Sequence, residues 1–395
     1  MAKVFIEETT LTAIGDAIRG KEGTTELIPV SDMSNRITNL PSGGGAPTAE
    51  ELTLTGICTY KFAETGWNWF IKKYGNMITT QDITNCSNMF YNNQQLEEIP
   101  FDINVKDIFI FNYMFAYMYK LKVCPRIRGT FKWQYNTTYA SLDNMLTSCQ
   151  LLSNLEDLFL PEMIDGFYEA VITTSYACPR PNTFQGMYSL RQVPSWWYKF
   201  KLNPESTAFP SNSYCLYYQA FQYCYNLDEL RDIPIWKCKA ASTTNILYNS
   251  FNQTLRLKSL TFETNPDGTP IEVQWKSQTI DLTNYVGYAS SSGQITPYGI
   301  TSDKLVKNDA TYQALKNDPD WFTTAVAYSR YNHDSAVETI NTLPDTSAYL
   351  ATAGGTNTIK FKGAAGSNTD GGAINTLTEE EIAIATAKGW TVTFG

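Results

Sequence analysis

Between residues 88 and 260 the apolar positions come in short bursts spaced by three. In QAFQYCYNLDEL, residues 219–230, Phe221, Cys224, Leu227 and Leu230 follow this rhythm. A half-buried strand alternates by two, and a long amphipathic helix mixes threes with fours, so neither accounts for it. The burst occurs six times: NMFYNNQQLEEIP at 88, YMFAYMYKLKVCP at 113, NMLTSCQLLSNL at 144, NTFQGMYSLRQVP at 182, QAFQYCYNLDEL at 219 and NSFNQTLRLKSL at 249. Its anchors are Phe90, Phe115, Leu146, Phe184, Phe221 and Phe251. Six residues on, every copy has leucine: Leu96, Leu121, Leu152, Leu190, Leu227 and Leu257. Nine residues on stand Ile99, Cys124, Leu155, Val193, Leu230 and Leu260. The anchors lie 25 to 38 residues apart, so the unit is fixed while its connections vary.

The pattern predicts one helical turn running into a strand. Asn88, Asn144, Asn182 and Asn249, two residues before their anchors, are placed to cap that turn. The position three after the anchor carries compact fillers, Met118, Cys149, Met187 and Cys224, on the same helical face. Pro100, Pro125 and Pro194 end the unit where a helix interior would not accept them. One such unit leaves an apolar side bare, and only stacking against neighbours buries it.

Ala220-Phe221, Cys224, Leu227 and Leu230 resemble, position for position, the AFxxCxxLxxI unit of the BspA-like leucine-rich repeats of bacterial surface antigens. Met89, Met114 and Met145 before the anchor match a variant of that family. The resemblance implies an α/β fold over 83–263, a leucine-rich-repeat-type solenoid, flanked by a small N-terminal helical anchor module and an α/β C-terminal cap.

At the N-terminus, Leu11, Ile14 and Ile18 share one helical face and Met33, Ile37 and Leu40 another, with Pro29 and Ser31 marking the second start. Two helices so short need a partner to bury their apolar faces. Residues 1–41 therefore read as an anchoring or oligomerisation module, and 42–47, SGGGAP, as a flexible linker. TAIGDAIRGKEGTTELIPVSDMSNRITNLPSGGG is similar to the N-terminal modules of minor structural and fibre proteins of tailed bacteriophages that infect Gram-positive bacteria. Residues 48–82 are expected to cap the repeats, with a strand in ELTLTGICTYKF and bulky cover in GWNWFIKKYG.

Residues 264–330 form an irregular extension in which IEVQW and QTIDL read as strands and Ala310–Lys316 as a helix. The tail, 331–395, is expected to run helix, strand, helix, strand. Val337, Ile340 and Leu343 line the first helix, NTIKFKG is a strand, Thr378 to Glu381 form a capping box, and WTVTF is the last strand. It too resembles the ends of phage and gut-bacterial repeat proteins.

Composition narrows the chemistry. The chain has 395 residues, 17% of them charged and 14% aromatic, with 25 Tyr and 9 Trp, which is too apolar for a disordered polymer. A net charge of −9 opposes broad phosphate contact, so no nucleic-acid partner is expected. No stretch has the length and hydropathy of a secretory leader or membrane helix, so synthesis in the cytoplasm without membrane insertion is expected. Eight cysteines without a CxxC pair read as reduced core residues. The single histidine, His333, excludes an HExxH zinc site and stands at a helix start, where a capping role suffices. Neither SGGGAP nor AGGTN has the lysine of a phosphate loop, so no metal or cofactor is expected. Glu97, Glu98, Asp228 and Glu229 occupy variable solvent slots, and a glycosidase pair among them is the weaker reading.

The aromatic surplus points to binding rather than catalysis. Trp196, Trp197 and Tyr198 follow Pro194, and Tyr217 and Tyr218 precede another unit. Adjacent tryptophans on a strand point to opposite faces, so one of the pair is expected at the surface. Taken with the two resemblances, the chain is expected to be a non-enzymatic virion protein of fibre or decoration type. It would be made in the host cytoplasm and released by lysis, joined to other virion proteins through its N-terminus. The repeats would contact a bacterial surface glycan or protein, and symmetric homo-oligomerisation, a trimer included, would supply the helices' partner. A bacterial adhesin or interaction scaffold is the alternative, and a surface-glycan hydrolase a weaker one.

Overall fold

A computed structural model of the chain describes residues 47–108, 111–131, 142, 144–164, 182–199, 219–224, 226–234, 247, 249–252, 254, 257–283, 331, 333–361 and 377–394, with isolated positions between 12 and 36. It is a mixed α/β structure of parallel sheets with few helices. Strands β1 (Thr53–Ile57), β2 (Thr79–Asn85), β3 (Ile103–Ile108) and β4 (Ile127–Phe131) pair in chain order, all parallel. Strands β5 (Glu229–Ile233) and β6 (Ser259–Phe262) form a second parallel pair. Strands β7 (Thr279–Asp281), β8 (Asn357–Phe361) and β9 (Trp390–Phe394) form a third parallel sheet. Beyond the N-terminal segment, where residues 12, 14–16, 18, 19, 32 and 36 are helical, the described α-helices are α1 (Asn68–Tyr74), α2 (His333–Thr342), α3 (Ser347–Ala353) and α4 (Glu379–Ala387).

The repeated bursts do not form helical turns. Each anchor sits between two consecutive tight turns whose key residues have left-handed backbone. Position −2 is left-handed in all six units, at Asn88, Tyr113, Asn144, Asn182, Gln219 and Asn249, with φ of 52–66°. The four asparagines therefore serve as left-handed turn residues rather than helix caps, because their short polar side chain tolerates positive φ better than most. Position +2 is left-handed as well, at Asn92, Tyr117, Ser148, Gly186 and Tyr223, with φ of 60–74°. Cys86 to Met89 and Phe90 to Asn93 each close an i→i+3 hydrogen bond, with the left-handed residue third, where a type II turn requires it.

A seventh turn of this form precedes the six. Tyr60 and Glu64 flank Phe62 with φ of 57° and 67°, inside the segment expected to be a cap. The sequence hides it because, beyond Phe62, the chain enters α1 in place of the leucine position.

The turns join one another through the backbone. Each +2 amide donates to the carbonyl one residue past the next anchor: Glu64 to Tyr91, Asn92 to Ala116, Tyr117 to Thr147, Ser148 to Gln185, Gly186 to Gln222 and Tyr223 to Asn252, at 2.8–3.0 Å. The anchor amides of Phe62, Phe90, Phe115, Phe184 and Phe221 donate to the residue before the next anchor, at 2.7–3.2 Å. Behind these bonds the anchor rings stack: Phe62 on Phe90 and Phe90 on Phe115 at 5.6 Å, Phe184 on Phe221 at 5.8 Å and Phe221 on Phe251 at 6.4 Å. Leu146 replaces a ring in the middle. All six repeat leucines are buried and belong to one core that runs from Leu52 to Trp390.

The cysteine of the AFxxC pattern acts here as a donor. The Cys149 thiol donates to the carbonyl of Phe115 at 3.1 Å and the Cys224 thiol to that of Phe184 at 3.0 Å, in each case the anchor of the preceding unit. Asn93 Nδ2 makes the equivalent bond to Phe62 O at 3.3 Å. A buried aliphatic would fill the space but leave that lone pair without this donor. The described cysteines, Cys58, Cys86, Cys124, Cys149 and Cys224, are all free thiols, as the sequence predicts.

The open edge of β6 is closed by a helix. Ser335 and Thr339 of α2 donate to the carbonyls of Lys258 and Leu260 at 2.7 and 2.5 Å, and Thr342 accepts from the amide of Phe262 at 3.1 Å. Hydroxyls on one helical face thus take the place of the next strand and block edge pairing. The expected tail is present, including the Thr378–Glu381 capping box on α4, and α3 is an additional short helix. IEVQW contributes only bridge residues, Glu272, paired with Asp345, and Gln274, and Ala310–Lys316 lies outside the described residues. In the N-terminal segment Ile18 and Ile28 form a small core of their own with Ile14 packed on it. Leu11, Met33, Ile37 and Leu40 lie outside the described residues.

Gly129 in β4 tests the parallel register. Its φ is 123°, and a Cβ there would stand 1.8 Å from Val105 O on the neighbouring strand. At Gly56, with φ of 63°, a Cβ would meet nothing within 4 Å. Urea unfolding should show Gly129→Ala destabilised by about 3 kcal/mol and Gly56→Ala by about 1 kcal/mol. Equal effects would contradict the close strand approach at Gly129.

Candidate functional site

The tryptophan pair expected to reach the surface is buried. Trp196 and Trp197 are 0% and 2% exposed. They sit on a 3₁₀ turn, Ser195–Lys199, whose geometry does not alternate faces as a strand would. Trp196 Nε1 donates to Leu155 O at 2.8 Å, and its ring meets Phe159 edge-on at 4.8 Å. Trp197 packs edge-on against Phe184, also at 4.8 Å. Both tryptophans are core residues, Trp196 between Phe159 and Phe184 and Trp197 against Phe184 and Phe221. Tyr198 is half-buried, and burial, with Asp232 and Glu229 nearby, pushes its phenol up to about 12. Tyr217 and Tyr218 lie outside the described residues.

A different set of aromatics lines the turns. Tyr91 follows anchor Phe90, and its ring meets Tyr113 at 6.1 Å and Tyr117 at 5.6 Å, both edge-to-face. Tyr117 meets Tyr119 at 6.4 Å in the same way. Tyr188 and Tyr223 stand on the later units of Phe184 and Phe221, and burial raises the Tyr188 phenol to about 12, with Tyr119 and Tyr223 adding to the rise. Tyr60, 57% exposed, lies at the other end beside Tyr91 and Glu64. The row arises directly from the turns, because Tyr60, Tyr113, Tyr117 and Tyr223 are themselves left-handed turn residues. Amides interleave with it: Asn92 Nδ2 donates to Glu64 at 2.7 Å, and Gln185 Nε2 donates to Gln222 Oε1 at 2.7 Å. Burial and neighbouring phenols raise Tyr91 and Tyr119 as well.

The burial of Trp196 and Trp197 leaves the tyrosines of the turns as the aromatic surface among the described residues. Their trace in the sequence is the offset from the anchor, since Tyr119 and Tyr188 both stand four residues after theirs.

Two of the acidic candidates, Glu97 and Glu229, are engaged in ion pairs. Glu97 meets Lys122 at 3.0 Å. Glu229 lies 3.1 Å from Lys258 and 3.0 Å from Arg231, and these bonds, that of Lys258 foremost, hold its carboxyl below the usual range. Arg231 also reaches Glu338 of α2 at 2.7 Å. Lys388, lowered to about 8 by burial, donates to the last carbonyls of α2 at Ile340 and Asn341, at 2.8 and 2.7 Å. Two shallow clefts, of about 360 and 330 Å³, lie beside Lys122 and beside Tyr349. Among the described residues no group of His, Cys, Asp and Glu is arranged to hold a metal ion, and no helix is long and apolar enough to cross a membrane. The chain matches no family model, no curated protein and no solved structure.

His333 starts α2, as expected, and ties it to α4. Nδ1 lies 3.3 Å from Asp334 and Nε2 lies 3.1 Å from Glu381. The bond to Asp334 and then that to Glu381 raise its pKa above the ordinary value. A raised histidine stabilises most below its unfolded pKa of about 6.5, and the effect is lost as pH climbs through the folded value. Glu381 is lowered, chiefly by the Thr378 amide and then by His333, so its share is lost only on strong acidification. Thermal melts should therefore show His333→Gln lowering Tm at pH 6 and leaving it nearly unchanged at pH 8.5. The contribution of Lys388 is common to both proteins. An equal loss at both pH values would remove protonation from the account.

Proposed function

We propose that the chain is a non-enzymatic structural protein of a bacteriophage particle, whose stacked turns form one leucine-rich-repeat-type solenoid displayed toward a bacterial surface. The observation that carries this reading is the unbroken series of turn-to-turn amide bonds from Glu64 to Asn252, with tyrosines along it. Stacked units build extended surfaces suited to binding, and their stability adds unit by unit. The match of Ala220-Phe221, Cys224, Leu227 and Leu230 to the surface-antigen repeat supports the same architecture.

Anchoring falls to the N-terminal segment. Its likeness to phage structural modules supports this, as does its small core of Ile18 and Ile28, separate from the main one. Arg36, with its guanidinium over the Trp69 ring at 5.8 Å, is the described contact between that segment and α1. Other virion proteins and further copies of the chain are the partners proposed for it, and the virion is the proposed location.

Deleting residues 1–45 should leave a cooperatively folding protein and abolish its incorporation into particles, read by immunoblot of purified virions. Normal incorporation of the truncated chain would overturn the anchoring role.

A further inference from the structure

We infer that the tyrosine row along the turns is a binding site for an extended, uncharged polysaccharide chain. The inference rests on the reading of the turn face as adhesive and adds the ligand class. Three features of the row select that class.

The first is periodicity. Successive units stand 5.6–6.4 Å apart, measured between stacked anchor rings. A pyranose ring with its linkage advances by a similar step, so an extended chain running along the ladder meets tyrosines at the units of Phe62, Phe90, Phe115, Phe184 and Phe221 and bridges the unit of Leu146, which has none. The second is shape. Tyr91 contacts Tyr113 and Tyr117 with interplanar angles of 75° and 87°, so neighbouring rings stand as wall and floor. A sugar packs its C–H face on one such ring while its hydroxyls turn toward the next, where phenols and the Asn92 and Gln94 amides provide hydrogen-bonding groups.

The third is polarity. The phenols of Tyr91, Tyr119 and Tyr188 are all held above their ordinary pKa and stay neutral, and the Glu64 carboxylate, which accepts from Asn92 beside Tyr91, disfavours an acidic chain. A tight protein partner would instead need a desolvated apolar centre. Among the described residues the exposed large apolar side chains include only one tyrosine of the row, Tyr60, at 57%.

The test uses the full chain on a printed array of neutral and acidic oligosaccharides, followed by titration calorimetry with the neutral di-, tetra- and hexasaccharides of the series retained. Affinity should rise with chain length, because longer chains reach more tyrosines. Tyr60→Asn and Tyr117→Asn remove a ring while keeping a residue that accepts positive φ, at 57° and 63°. Each should weaken binding about tenfold, the loss of an aromatic contact worth somewhat over 1 kcal/mol. Tyr349→Ala, on α3, should bind as the native chain does. Because Tyr60 is 57% exposed, its variant folds whether or not Tyr117→Asn is tolerated.

Failure of every neutral oligosaccharide to bind, preference for acidic ones, or equal binding by native chain and Tyr→Asn variants would overturn the inference. If glycan binding fails while the native chain still adsorbs to bacterial cells and the Tyr117→Asn variant does not, the ligand class is wrong and the adhesive face stands. If neither variant affects adsorption, both readings fall.

Discussion

Each unit of this protein holds the next by donating the amide of a left-handed residue across the gap between turns. A right-handed or extended residue at that position would close the turn differently and direct its N–H elsewhere. The conformation costs about 1 kcal/mol or more for a residue other than glycine, and Asn92, Tyr117, Ser148 and Tyr223 all adopt it. Stacked anchor rings and buried leucines offset that cost, and neither would be in register without the amide bond. Local strain, hydrogen bonding and burial are therefore coupled.

The same coupling explains two features that composition alone does not. Cysteine recurs in the core because its thiol is small enough for the turn and donates to the preceding anchor's carbonyl. Tyrosine recurs on the turns because a ring at a left-handed position projects outward beside its neighbour in the next unit, as Tyr113 and Tyr117 do beside Tyr91. A core motif and a surface row thus share one backbone device. The ladder ends where the device is replaced: at one end α1 takes over beyond Phe62, and at the other the hydroxyls of α2 satisfy β6.

Much of this was legible in the residues. Every leucine six positions after an anchor is buried, and Cys149 and Cys224, the C-terminal helices and strands and the capping box lie where periodicity and capping chemistry place them. Local conformation was not legible. A three-residue rhythm is shared by one helical turn and by two successive tight turns, and asparagine favours both a helix cap and positive φ. The turn at Phe62 escaped detection because its leucine position lies in α1. The tryptophans were misplaced because adjacent aromatics alternate only on a strand, and Ser195–Lys199 is a 3₁₀ turn.

The dependence of the fold on turn-to-turn bonding is open to direct measurement by amide hydrogen exchange. The amides of Glu64, Asn92, Tyr117, Ser148, Gly186 and Tyr223, all at turns near the surface, should exchange slowly and be protected together with the buried amides of β1 to β4. Exchange of these six at the rate of free loops, while the strands stay protected, would contradict the account.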